Sequence, residues 1–427
     1  MGMRVFSEFL LFVVGFTLPF EYAHVDFLGM AWTPSKVTAA LLLAISAVRF
    51  LLERRTPRRD PKAIWVALMA LSIFVSSIHG YFVGVPLPNL VTMTISWLSL
   101  ITFYFLMVFL LRGEREVKVV LAGLVAGALI VTLTGFLGLG ELSYSQEGER
   151  IVGQSGGPNN LAFNLVLSLP VVLAYLYSSQ RRGARIMWGA CAVFMLLGIG
   201  ATLSRAGLLA VPAMGLLWAV RLRLGNVVRY AFPVVCLVVA VALFLPDTVA
   251  ERAATLSPVG ARQDDSIQSR VTTGKLALQA FAESPVLGIG LLRFVSYAVD
   301  HGAAHVNVIH NAYLDVATEQ GLIGFIPYLA ITLLAWRHFS EAIRLARGQR
   351  RSDPRAFWFE IRAVMLQISL LGVLVISQFQ PTGRYKGLWL LFALSTVLPR
   401  LVRERIVKAS SGPDLASSRR AGAPFAH

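Results

Sequence analysis

Charge and cysteine are both scarce in this sequence. Charged residues make up 15% of its 427 residues, whereas an ordinary soluble domain carries about 25%. With 56% hydrophobic residues, too little polar surface remains to cover a water-soluble protein of this size, and that class is excluded. The two cysteines, Cys191 and Cys236, both lie inside apolar runs. Neither a disulfide framework nor a cysteine-ligated metal site is therefore available.

Acidic residues are also fewer than basic ones, at 23 Asp and Glu against 39 Lys and Arg. The resulting net charge of +16 would favour a nucleic-acid partner if the cations formed one patch. Instead they fall in short clusters between long apolar runs, which is the pattern of a protein that crosses a membrane many times. Membrane lipid is the predicted surrounding, and no nucleic-acid partner is expected.

The apolar runs predict an all-α, polytopic membrane protein, because a helix crosses the hydrocarbon layer with about 20 apolar residues and pairs its own backbone groups. Twelve stretches qualify: residues 5–20, 36–52, 63–79, 90–111, 119–139, 161–178, 186–203, 206–220, 230–246, 322–336, 359–377 and 388–402. The two stretches on either side of Ser204 are also compatible with one broken helix.

Basic clusters follow every even-numbered span, for example Arg54 to Lys62 after the second and Arg181 to Arg185 after the sixth. Because such loops stay in the cytoplasm, both termini are predicted to be cytoplasmic, without a cleavable signal peptide. The chain then divides into spans one to nine at residues 1–246, a helical periplasmic loop domain with the catalytic site at 247–320, spans ten to twelve at 321–408, and a disordered cytoplasmic tail at 409–427.

Two helices are predicted in the long loop. Ser266 is positioned to cap a helix through residues 268–282. A second helix is expected over residues 307–320, with Gly321 at its C-cap. Apolar residues at intervals of three and four would place His310 on the inward-packing face of this second helix.

Several short motifs lie in or beside the external segments. They are Leu203-Ser204-Arg205-Ala206-Gly207, Ser269-Arg270, Ser284-Pro285-Val286-Leu287-Gly288-Ile289-Gly290, His310-Asn311-Ala312-Tyr313-Leu314 and Glu319-Gln320-Gly321-Leu322-Ile323-Gly324, with Arg150-Ile151-Val152-Gly153 and Pro158-Asn159-Asn160-Leu161-Ala162 upstream. In order and placement they resemble the signature of the O-antigen ligase and O-antigen polymerase superfamily. The resemblance covers residues 150–324 by motif and the whole chain by topology.

This resemblance implies a membrane-embedded glycosyltransferase of the GT-C type, inverting and independent of metal or other cofactor. Such enzymes take a glycan from an undecaprenyl diphosphate carrier at the periplasmic face of the bacterial inner membrane and pass it to an acceptor hydroxyl. The acceptor is the lipid A–core oligosaccharide for a ligase and a second lipid-linked glycan for a polymerase. A ligase is slightly preferred, because nothing in the chain suggests an extra external domain to guide a growing polymer.

The chemistry of individual residues agrees with such a site. Arg205 and Arg270 are external cations, and a planar guanidinium bonds phosphate oxygens in pairs, so both are expected to bind the diphosphate. His310 is the candidate general base, with Asp315 or Glu319 as alternatives. Secondary candidates for substrate binding are Asn311 and three further external cations, Arg150, Arg293 and Arg384. The competing interpretation is a solvated or snorkelling side chain for each cation, and a structural or positional role for His310.

Other chemistries are less well supported. His301 and His305, with His310 downstream, would suit a transition metal, but the Gly and Ala residues between them disfavour a helix and no Glu takes the place that a zinc hydrolase needs. Residues 153–157 are Gly-rich, yet the Lys-Ser/Thr pair of a phosphate loop does not follow. A transporter would carry mid-membrane charges and repeated halves, and a structural scaffold would not need the external Arg and His residues.

Overall fold

The computed structural model describes residues 2–20, 60–139, 143–145, 148–221, 265–303, 308–351 and 355–410, together with short pieces at 25–27, 30–32, 34, 37–38, 40–44 and 353. Several predictions concern residues outside these ranges. They are the span at 230–246, most of the span at 36–52, His305, and the tail after residue 410.

Helices form almost all of the described structure. In chain order they are α1 Gly2–Thr17, α2 Ala63–Phe82, α3 Leu87–Leu110, α4 Glu114–Phe136, α5 Pro158–Ser178, α6 Arg182–Ala201, α7 Arg205–Arg221, α8 Asp265–Glu283, α9 Phe294–Asp300, α10 Ala312–Gly348, α11 Ala356–Ile376 and α12 Lys386–Ser410. Two short antiparallel hairpins, β1 Val25–Phe27 with β2 Met30–Trp32 and β3 Ser143–Ser145 with β4 Gly148–Arg150, and 3₁₀ turns at Gly153–Ser155 and Thr382–Arg384 complete it.

The predicted class, an all-α polytopic membrane protein, is confirmed. Within the described residues, 7 helices are long and apolar enough to cross a membrane, namely α2, α3, α4, α5, α6, α10 and α11. The total of twelve spans stays a prediction. The core is formed around α11, which is buried along most of its length and which contacts α5 through a hydrogen bond of 2.8 Å from the Ser369 hydroxyl to the Leu167 carbonyl.

Helix α1 packs against α4 with unusually close backbones. Methyl groups built on Gly123 and Gly127 would lie 2.1 and 2.2 Å from carbonyl oxygens of α1, so small residues four apart permit this contact, as in many membrane helix pairs. The two helices run parallel, because Glu8 forms an ion pair with Arg115 at 2.8 Å near their starts while Phe16 contacts Gly127 further along.

The described parts of the predicted basic loops lie at one end of the helix bundle. Lys62 is fully buried there and donates to the Phe392 carbonyl. Carboxylates accompany many of the arginines, in the ion pairs Arg115–Glu8, Arg347–Glu360, Arg350–Glu360, Arg403–Glu341 and Arg405–Asp353. Since α1 starts and α12 finishes at this end, the described ends of the chain lie together, as the alternation of basic loops predicts.

The motif-bearing segments meet at the opposite end. A backbone hydrogen bond of 2.8 Å from Ala312 to the Ser377 carbonyl joins the start of α10 to the end of α11. Tyr385 donates to the Asn160 side chain and so joins the start of α12 to the start of α5. The described parts of the external segments predicted from topology are therefore in contact with one another at this end.

Two details of the predicted loop helices were wrong. Helix α8 begins at Asp265, so Ser266 lies inside its first turn rather than at its cap. The second helix ends at Gly321 as predicted, where the backbone breaks before a further helical segment to Gly348, but it begins at Ala312 instead of residue 307. Its start is fixed by Asn311, whose side chain accepts the N–H groups of the second and third helical residues at 3.0 Å each. His310 therefore precedes the helix and does not lie on a helical face.

Candidate active site

A loop at residues 284–292, which we call the crossing loop, passes over a break in α10. At Gly321 the backbone adopts φ +60° and ψ −162°, so helical hydrogen bonding is interrupted. Backbone groups of the crossing loop and α10 pair with one another instead, in the bonds Ile289 to Thr318 at 2.9 Å, Gly290 to Glu319 at 3.2 Å and Leu322 to Pro285 at 2.8 Å. The break in the helix thus creates the binding groups for the loop.

Glycines make this crossing sterically possible. A methyl group on Gly321 would lie 2.3 Å from a carbonyl oxygen of the crossing loop, and one on Gly288 would lie 2.5 Å from a backbone carbon of α10. On the other side of the loop, a methyl group on Gly290 would lie 2.8 Å from Cα of Gly80 in α2. The Ser-Pro-Val-Leu-Gly-Ile-Gly and Glu-Gln-Gly motifs are therefore two halves of one backbone contact.

His310 lies immediately before α10, partly buried beside α8. Arg270 on α8 is close enough for its charge to act on the imidazole. Burial, and then the positive charge of Arg270, lowers the pKa of His310 below its ordinary value, which is near 6.5. The imidazole is consequently neutral at pH 7 and able to accept a proton.

Asn311 is occupied by structural hydrogen bonds. Its side-chain oxygen caps α10, and its side-chain nitrogen donates to Gln378 at 3.2 Å. These bonds fix the backbone next to His310 and hold the segment that follows α11 against it. The structure thus gives Asn311 a positioning role, and its prediction as a substrate ligand remains untested.

Arg205 and Arg150 meet at the turn between α6 and α7. Arg205 is the first residue of α7 and is partly buried. Arg150, at the end of β4, donates from Nε to the carbonyl of Thr202 in this turn at 2.9 Å. The backbone N–H groups at the start of α7 add partial positive charge to these guanidinium groups. Together they form a cationic region suited to an anion.

Two leucines next to candidate site residues have left-handed backbone conformations. In the described part of the chain, the non-glycine residues with positive φ are Leu203 at 50° and Leu292 at 62°. Leu203 precedes Ser204 and Arg205, and Leu292 ends the crossing loop. Such conformations carry local strain and concentrate at functional sites.

Arg293 and Arg384 have different surroundings. Arg293 forms an ion pair with Asp300 at 2.8 Å along α9 and is thereby engaged on the loop surface. Arg384 ends the 3₁₀ turn before α12, and its charge acts on the carboxylates of Asp315 and Glu319 in α10.

The structure thus brings together His310 with Arg270, Arg205 with Arg150, and Arg384 with the two carboxylates. That Arg205 also approaches Arg270 stays a prediction.

Sequence reasoning missed two polar side chains beside the 3₁₀ turn Thr382–Arg384. Tyr328 and Gln380 are both buried, and each has a side-chain donor atom without a hydrogen-bond partner in the described ranges. The only signal for Tyr328 is a hydroxyl inside an otherwise apolar span, and Gln380 has none, since its burial depends on how the segment after α11 folds back.

The histidines considered for a metal site do not converge in the described residues. There, no three His, Cys, Asp or Glu side chains form a group able to hold a metal ion. The ring of His301 stacks on Tyr297 with centroids 4.0 Å apart, and its Nδ1 lies 2.8 Å from the carbonyl oxygen of the same residue.

Comparison with known families identifies this region. Residues 190–329 match the sequence profile of the O-antigen ligase family, which confirms the resemblance over about a third of the chain. The matched stretch contains Arg205, Arg270 and His310, whereas Arg150 and Arg384 lie outside it. No curated protein sequence gives a significant match. The chain is thus a multi-pass membrane protein with an O-antigen-ligase-type domain, a domain associated with glycan ligases and polymerases.

Proposed function

We propose that this protein is an O-antigen ligase, which transfers a glycan from an undecaprenyl diphosphate carrier to the lipid A–core oligosaccharide. One observation carries the proposal: within the O-antigen ligase match, a half-buried neutral histidine lies next to an arginine at the end of the bundle opposite the basic loops. This arrangement supplies a base and a phosphate ligand side by side.

The reaction follows from the charges of these groups. The acceptor hydroxyl oxygen attacks the anomeric carbon of the donor glycan, while His310 takes the hydroxyl proton on its neutral ring. The bond from the anomeric carbon to the diphosphate oxygen breaks on the opposite face, and its electron pair leaves with the diphosphate, so the configuration inverts. Arg270 and Arg205 stabilise the negative charge that develops on the diphosphate.

A diphosphate held by arginines leaves without a general acid, and the proposed reaction needs neither a metal ion nor another cofactor. The location of the site fits a membrane-bound donor, because the site lies at the ends of the spans, where a carrier lipid presents its headgroup. We place this end in the periplasm of a bacterial inner membrane and both termini in the cytoplasm, following the basic loops.

The proposal is tested with protein reconstituted in vesicles and supplied with undecaprenyl diphosphate-linked glycan and lipid A–core. Transfer of glycan to lipid A–core is expected, and a chelator should leave its rate unchanged. Arg205→Ala or Arg270→Ala should lower the rate about 10²- to 10³-fold, as when one preorganised donor is lost. A Lys replacement should restore only part of it, because a point charge lacks the fork geometry.

Lys275→Ala is the matched control, since Lys275 is an exposed cation on the same helix as Arg270. Near wild-type transfer by folded arginine variants would refute the diphosphate assignment. Elongation of carrier-linked glycan without transfer to lipid A–core would identify a polymerase instead, and vesicle uptake without any transfer would identify a transporter.

A further inference from the structure

A group of polar side chains on and around the helix that follows His310, which we call the polar cluster, consists of Asp315, Glu319, Tyr328, Gln380 and Arg384. Asp315 and Glu319 are one turn apart on α10 and partly buried. Arg384 acts electrostatically on both carboxylates. Among the described residues, however, no ion pair within 4.0 Å joins it to either one, and its Nη1 instead contacts the sulfur of Met93 at 3.3 Å. The guanidinium of Arg384 thus lies near both carboxyl groups without forming a direct ion pair with either.

The polar cluster also contains two buried donors that have no hydrogen-bond partner among the described residues. Tyr328 is 0% exposed and Gln380 is 4% exposed, and neither the Tyr328 hydroxyl nor the Gln380 Nε2 has a hydrogen-bond partner. Both adjoin the 3₁₀ turn: a methyl group on Gly383 would lie 3.7 Å from the Tyr328 hydroxyl, and the Gln380 amide oxygen accepts from Tyr385 at 3.4 Å. Buried polar atoms are usually paired, so two orphans at one place indicate a ligand that supplies the partners.

The chemistry of the polar cluster identifies the kind of ligand. Two carboxyl groups offer no positive charge to a diphosphate, so the anionic part of the donor belongs with the arginines at the α6–α7 turn and on α8. Carboxylate, amide, phenol and guanidinium groups together match a neutral compound with many hydroxyls, each of which both donates and accepts. The rings of Tyr313 and Tyr328, with centroids 6.0 Å apart, add an apolar wall beside these groups.

Connectivity places the polar cluster on the acceptor side of the reaction. His310 directly precedes the helix that carries both carboxylates, and Asn311 and Ala312 bond to residues 377–378 at the start of the segment that contains the turn. A sugar held here therefore presents a hydroxyl to the base. We propose that the polar cluster binds the acceptor saccharide and orients its attacking hydroxyl toward His310. This inference rests on the proposed glycosyl transfer.

Tyr328→Phe is the most informative variant. It removes an oxygen that has no partner in the part of the chain that the structure describes, so the fold should be retained. Steady-state transfer by the full-length reconstituted protein is measured while core oligosaccharide and carrier-linked glycan are varied separately. We expect the KM for the core oligosaccharide to rise about 10-fold, the effect of one good hydrogen bond, and the KM for the donor to stay within about twofold.

Asp315→Asn and Glu319→Gln should have the same selective effect, and Asp300→Asn is the matched control because Asp300 is an exposed acid on the neighbouring α9. If transfer occurs and Tyr328→Phe leaves the acceptor KM unchanged, the inference is wrong. A rise confined to the donor KM would equally overturn it by placing the donor glycan in the cluster. Complete absence of transfer by the wild-type protein would instead refute the proposed function.

Discussion

Replacing Gly321 by Ala should detach the crossing loop from α10. The backbone there has φ +60° and ψ −162°, a region open essentially only to glycine, where another residue costs about 1 to 3 kcal/mol. The added methyl group would also lie 2.3 Å from a carbonyl oxygen and 2.4 Å from a backbone nitrogen of the crossing loop. Relieving that clash breaks one or two of the connecting hydrogen bonds, at about 1 kcal/mol each.

Together these effects amount to about 2 to 5 kcal/mol, or roughly a 30- to 5,000-fold increase in the equilibrium for opening the crossing loop. Hydrogen exchange measured by mass spectrometry reports this equilibrium at the amides of Ile289 and Gly290, which donate to α10 carbonyls in the closed state. Their exchange should accelerate by that factor. The rate of glycan transfer should fall with the docked fraction, because the loop holds the helix that follows His310.

Variants at two other glycines separate the effect of backbone strain from the effect of the steric clash. Gly84 has φ +92° with no atom within 4 Å of a built methyl group, so Gly84→Ala adds strain without a clash. Gly274 lies in α8 with equally open space and without positive φ, so Gly274→Ala should be neutral or slightly stabilising. Exchange at the crossing loop within about threefold of wild type in folded Gly321→Ala protein, or an equal acceleration in Gly84→Ala, would refute the reasoning.

Other consequences are open to direct measurement. Removing the charge in Arg270→Gln should raise the pKa of His310. Because the neutral ring is the proposed base, the acidic limb of the rate–pH profile should then move to higher pH. An unchanged acidic limb would mean that the charge of Arg270 does not act on His310. Cysteines at positions 148 and 182 should be labelled from the periplasm and the cytoplasm, respectively, and labelling of both from one side would invalidate the topology. Gly127→Leu should lower the melting temperature, since a methyl group already lies 2.2 Å from an α1 oxygen, whereas an unchanged melting curve would mean that the α1 contact contributes little.

Hydropathy was sufficient to place most of the described spans, because a run of apolar residues must be helical in lipid whatever its neighbours are. The predicted span at 63–79 corresponds to α2 Ala63–Phe82, and the two runs around Ser204 are separate helices α6 and α7. Helix ends were less accurate. The sequence His310-Asn311 contains a good N-cap residue, but intervals of three and four residues extend through it and favoured an earlier start.

The grouping of the site residues depended on contacts that local sequence does not encode. Arg270 reaches His310 only because α8 and the crossing loop dock on α10 across some forty intervening residues. Arg384 could be recognised as an external cation, yet its proximity to Asp315 follows from the fold-back of the segment after α11. Charge type and topological side were therefore predictable, whereas pairings between segments required the structure.

The crossing also explains why two motifs that are separated in sequence occur together in one site. Each supplies glycine to the same backbone contact, so the close approach of the two segments requires both motifs. Helix α10 bends where it leaves the membrane-spanning part, and the bend leaves its first turns free to carry His310 at their start and two carboxylates on their surface. A straight helix would continue its own hydrogen bonds through residue 321 and provide no carbonyl groups for the crossing loop. The irregular backbone thus positions the proposed base, and in the proposed reaction the arginines bind the charged donor while the polar cluster binds a neutral sugar of the acceptor.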